Sequence, residues 1–172
     1  FMLAWPYGNV RLMSSYSFTT SGQGPPANGA GQIEPVWADG VNKCYDKWVC
    51  EHRWLAISNM VEFHKIAAGK AVVNWWDNGA NQIAFGRGNK GFVVINRESK
   101  RLKRVFETSL PQGWYCDITT GNYIPDPSSC SSTAIYVDQN GNAEFSVGPM
   151  ASAAIHINAK SSLLKPEINC QH

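Results

Sequence analysis

The sequence predicts a mixed fold, a single β/α unit followed by an all-β antiparallel region. Three observations predict it. A short apolar run at 10–16 leads through a Gly/Pro/Asn-rich stretch into a segment with helical spacing that stops at Gly69. From Asn81 onward the apolar period changes to two. Turn residues separate these later runs, among them Asp77-Asn78-Gly79 and Asn140-Gly141.

Residues 1–6, F-M-L-A-W-P, are apolar but carry no charged leader and no cleavage site, so they read as the end of a helix rather than a signal peptide. The run V-R-L-M-S-S-Y at 10–16 has the texture of a strand buried on both faces, as parallel strands are. Arg11 interrupts it, and a guanidinium in such a place needs a counter-charge. The loop at 19–42 is long enough to be functional or specially tied down, and a Cys44–Cys50 bridge would tie it. A helix is expected over 51–68, with Trp54, Ile57, Val61 and Ala68 on one face and Met60 beside them. A lone strand, loop and helix cannot cover their own apolar faces, so this part should belong to something larger.

Seven short strands are expected after it, at 82–85, 92–95, 102–106, 114–118, 134–137, 143–147 and 154–157. They suggest a sandwich or barrel around Phe85, Val94, Ile95, Tyr115, Ile135, Val137, Phe145 and Ile155. The basic run at 100–104 is broken by Leu102 and reads as the outward residues of a strand or hairpin.

At 172 residues and a net charge of +2, the chain offers no electrostatic argument for nucleic acid or an acidic membrane. No apolar stretch approaches the ~20 residues that cross a bilayer. Five cysteines point to an oxidising compartment, and the economical pairing is Cys44 with Cys50 and Cys116 with Cys130, leaving Cys170 over. Zinc is a poor reading, because no C-x2-C spacing exists and His52, His64, His156 and His172 do not cluster.

A carboxylate pair suited to acid/base work is not evident. Glu51 sits where a carboxylate complements a helix start, and Asp77 lies in a turn signal. Of the seven tryptophans, Trp54, Trp75 and Trp76 read as core or interdomain packing, whereas Trp37 and Trp48, near the long loop, read as the more exposed.

Several motifs fall in one order along the chain. F-M-L-A-W-P-Y-G opens it, followed by V-R-L-M-S-S-Y and G-P-P at 24–26. C-x5-C-E-H-R-W begins at Cys44, and N-W-W-D-N-G-A-N-Q-I-A-F-G-R-G-N-K-G-F ends at Phe92. L-P-Q-G-W-Y-C-D-I at 110–118 and A-I-H-I-N-A-K at 154–160 complete the set. Together they resemble the C-terminal portion of animal-type, chloride-dependent alpha-amylases, over nearly the whole chain. The chain departs from that pattern in lacking a glycine after Cys44 and in its tail with Cys170.

The resemblance implies that residues 1–74 are the last strand and helix of a (β/α)8 TIM barrel, 75–160 a Greek-key β-domain, and 161–172 a tail. It implies a secreted, monomeric, retaining enzyme acting on α-1,4 bonds of starch, glycogen and malto-oligosaccharides. Both local disulfides, Cys44–Cys50 and Cys116–Cys130, are expected in the family. The catalytic carboxylates and the calcium ligands are expected upstream of Phe1, so no catalytic residue is assigned here. Arg11 occupies the position of the arginine that holds chloride in such enzymes. The rival expectation is a non-catalytic secreted β-domain, derived from an amylase, that binds carbohydrate or a protein.

Overall fold

The computed structural model describes residues 1–37, 44 and 47–162. Cys170 and the rest of 163–172 lie outside the described residues.

A 3-10 turn at Glu51–Arg53 precedes helix α1, Leu55–Ile66, which is therefore shorter at both ends than its apolar periodicity predicts. Ala67 caps it, and Gly69 follows at φ 70°, a conformation that costs glycine little. Strands β1 (Val72–Asp77), β2 (Gln82–Arg87), β3 (Gly91–Asn96) and β10 (Ala151–His156) form one antiparallel sheet in the order β1-β2-β3-β10. The second sheet runs β11-β5-β8-β9-β4, with β4 at Leu102–Glu107, β5 at Gly113–Cys116, β8 at Ala134–Val137, β9 at Asn142–Val147 and β11 at Lys160–Ser161. A small ribbon of β6 (Tyr123–Ile124) and β7 (Ser129–Cys130) fills the excursion closed by Cys116–Cys130. Strand β4 lies beside β9, the third of the four strands that follow it in this sheet, so β5-β8-β9-β4 is a Greek-key order.

The seven expected strands are all present, and β8 and β9 show the clean alternation of buried and outward residues. In β9, Ala143, Phe145 and Val147 point inward while Glu144 and Ser146 point out. At the β8–β9 turn, Asp138 Oδ1 accepts from the amides of Asn140 and Asn142, and Gly141 takes φ 81°. The sheets enclose Phe92, Val94, Phe106, Tyr115, Val137, Phe145 and Ile155.

The first sheet is buried on its other face too. There Phe85, Val93 and Ala154 pack against Ala4, Phe63 and Ala67, so the molecule has three layers: second sheet, first sheet, and α1 with residues 1–5. Phe85 and Ile95 therefore belong to the helix side and not to the core between the sheets. Gly91 permits this layer, since a Cβ there would lie 2.8 Å from Phe63 Cζ.

Residues 10–16 correct the expectation of a buried strand. They are extended but make only one bridge, Tyr16 to Trp48, with Leu12 and Met13 exposed. No other strand among the described residues lies alongside, so the backbone has no ladder to join. One helix and this segment do not form a barrel wall. The β/α unit thus takes the form of a helix docked on a β-sandwich, with β1 as an added strand that is not among the seven expected.

Candidate functional site

The segment carrying Arg11 is held by local bonds. Ser15 donates its amide to Glu51 Oε2 at 2.8 Å and its hydroxyl to Glu51 Oε1. Those two bonds hold the Glu51 carboxyl below the usual carboxylate range. Ser14 Oγ accepts from the amide of Cys50 at 2.7 Å, and the Cys44–Cys50 disulfide fixes the neighbouring turn. Tyr16 meets Trp48 edge-on at 5.9 Å, while the Trp48 indole donates to Glu34 O. Trp48 is thus partly covered, and Trp37 is exposed as expected. Arg11 itself is exposed. The cost of a guanidinium buried in an apolar strand therefore does not arise in this structure, and its side chain is accessible to an anion.

A second cluster lies on the outer edge of the first sheet. Trp75 stacks on Phe85 at 5.7 Å, and Trp5 stands edge-on to both. Trp75 is 47 % exposed and Trp54 55 % exposed, so neither is a core residue of this chain, while Trp76 does pack against the core. An outward position on an edge strand for Trp75, and the junction between the 3-10 turn and α1 for Trp54, explain both exposures. The Trp75 indole donates to Asp77 Oδ2 at 2.8 Å and the Gly79 amide to Oδ1 at 2.9 Å, and these bonds lower the Asp77 pKa.

Neither carboxylate is poised to donate a proton at neutral pH. Both are held in the ionised form by donors, Glu51 by Ser15 of the N-terminal segment and Asp77 by its own turn. Among the described residues no group of three or more His, Cys, Asp or Glu could hold a metal ion.

Two positioning residues escaped the sequence pattern. Arg87, 2 % exposed, donates to the carbonyls of Ala4, Ala67 and Lys70, tying residues 1–5 and the end of α1 to β2. Asn59 on α1 donates to Ile118 O and Gly121 O, anchoring the helix to the disulfide-closed excursion. Arg87 ends β2, and its position beneath the end of α1 makes it structural.

The family model described as "Alpha amylase, C-terminal all-beta domain" matches residues 73–158. The chain belongs to the alpha-amylase family. It is 50 % identical over 165 residues to the alpha-amylase of Pecten maximus, covering 93 % of this chain and 32 % of that protein. To the pancreatic alpha-amylase of Sus scrofa it is 43 % identical over 172 residues, covering 93 % of this chain and 33 % of that one. Crystal structures of alpha-amylase I from Eisenia fetida, one a mutant in complex with maltohexaose, superpose with a TM-score of 0.76 at 41 % identity. They cover 91 % of this chain and 34 % of theirs. The chain thus spans about a third of the length of these relatives.

Proposed function

We propose that this chain is the C-terminal part of a secreted, monomeric alpha-amylase that hydrolyses internal α-1,4 bonds of starch and glycogen with retention. One observation carries the reading: more than nine-tenths of the chain matches alpha-amylases while spanning a third of them. In this reading residues 1–74 are the end of the catalytic barrel, 75–160 its β-domain, and 161–172 a tail. The two carboxylates that perform glycoside hydrolysis lie upstream of Phe1, as do the calcium ligands. Two disulfides fit an oxidising compartment, and no helix among the described residues is long and apolar enough to cross a membrane.

Arg11 fits chloride as one donor group among several, because its exposed guanidinium is free of the apolar burial that would demand a carboxylate. The remaining ligands would come from outside this chain. A bound anion near the general acid raises that group's pKa and keeps it protonated.

The rival reading, a non-catalytic β-domain that binds carbohydrate or protein, draws support from the two sheets, which enclose their own core. The transcript upstream of Phe1 separates the two. An H-D-N-type segment with its carboxylates, in a protein that releases malto-oligosaccharides from starch, supports the enzyme. Loss of those carboxylates supports the binding module.

A further inference from the structure

The outer face of the second sheet carries a groove of about 600 Å³. It opens because β8 and β9 pair at a single register position, Val137 with Ala143, while their outer edges are fully laddered to β5 and β4. Register sets Trp114 beside Tyr136 on one wall, with ring centroids 5.1 Å apart. Gln112 donates to the Tyr136 hydroxyl at 2.7 Å, which fixes a ring that is 40 % exposed. Thr133, Asn142 and Ser146 line the same groove with hydroxyl and amide groups, Ser146 Oγ also accepting from Arg101 at 3.3 Å.

Charge narrows what the groove can take. Its lining residues include no lysine, arginine or histidine, which disfavours an anion. Its carboxylates are already engaged, which disfavours a cation. Glu144 pairs with Lys103 at 3.3 Å, Asp138 holds the amides of Asn140 and Asn142, and Asp117 accepts from Thr119, Thr120 and the Ala154 amide. A neutral ligand with an apolar ring face and a hydroxyl rim is what remains. The groove also faces away from α1 and residues 1–5, which cover the opposite side of the first sheet.

We propose that this groove binds a glucan chain, with pyranose rings on the Trp114–Tyr136 pair, as a non-catalytic holding site. It takes from the amylase reading only the choice of α-1,4-linked glucose as the probe. The test is an NMR titration of the 15N-labelled 172-residue chain with maltohexaose, the Trp114 indole signal being assigned through Trp114→Phe. Saturable shifts of that indole and of the Gln112 side-chain amide are expected, with a dissociation constant on the order of 1 mM. Trp114→Ala should weaken the Gln112 response about tenfold, a change of one decade in affinity. Ser146→Lys, at an exposed strand position, should do the same by filling the groove mouth without touching the core. Unmoved signals at about 20 mM maltohexaose would overturn the proposal, as would shifts that track protein concentration instead of sugar, which would assign the face to a second copy of the chain. Starch hydrolysis by the longer protein with these signals unmoved would remove the groove and leave the proposed function standing. Shifts here without hydrolysis would do the reverse.

Discussion

Arg87 donates to three carbonyls, Ala4 O at 2.6 Å, Ala67 O at 2.9 Å and Lys70 O at 3.0 Å, of which Ala67 O also accepts from the Lys70 amide at 3.1 Å. Arg87→Met keeps much of the apolar stem but removes all three bonds and leaves the Ala4 carbonyl bare in a buried place. Urea denaturation should show a loss of about 2–4 kcal/mol, and an unchanged midpoint would remove the latch from the account. His156 makes a different demand. It is 4 % exposed, its Nδ1 has no hydrogen-bond partner, and burial pushes its pKa below the ordinary 6.5, outweighing the upward pull of Glu62. The unfolded chain therefore takes up this proton first, so the stability it contributes is whole above about pH 6.5 and is lost as the pH falls towards the folded value. Melting temperatures should fall across that window in the wild type and stay flatter in His156→Gln. Glu51, Asp77 and Glu98, held below their ordinary range, lose their contributions only in more acid solution. At this scale the sequence was legible where the chemistry is local, as in the Asp77 turn. Arg87 and His156 were not, because their roles depend on residues 17 to 83 positions away or on a helix packed across them.

At the scale of elements, the strands were legible because each is a short apolar run that ends in a turn residue with its own mechanism. Strand β1 was obscured by the left-handed Asn74, which interrupts the ladder between Val73 and Trp76. The two-residue strands β6, β7 and β11 are too short to show a period. The third layer was hidden because burial of β2 and β3 on both faces requires knowing that α1 lies over them. Its tightest point is Phe63 against Gly91. Gly91→Ala should cost about 1–3 kcal/mol by pushing the helix outward, measurable by chemical denaturation. The same docking predicts the pattern of limited proteolysis. Cleavage should fall within 17–36, which is exposed and sparsely bonded, and the resistant fragment should retain α1, beginning before Leu55. A resistant core that starts near residue 75 would show that α1 is not held by the sheet.

The whole molecule is a β-sandwich with a helix and an N-terminal segment on one side, and the family was legible because its motifs run through turns and strand edges in fixed order. The barrel was not recoverable as a structure, since residues 10–16 find no neighbouring strands here. Chloride tests the same region from function. In the longer protein, Arg11→Gln should abolish or sharply weaken chloride activation while leaving the fold intact, and full activation by chloride in that variant would remove Arg11 from the site. The most direct test of the central claim compares starch hydrolysis by the 172-residue chain with that by the protein read continuously from upstream of Phe1. The account predicts that the longer protein releases α-configured malto-oligosaccharides and that the chain alone, though folded, releases none. Hydrolysis by the chain alone, or a folded longer protein with no action on starch, would contradict it.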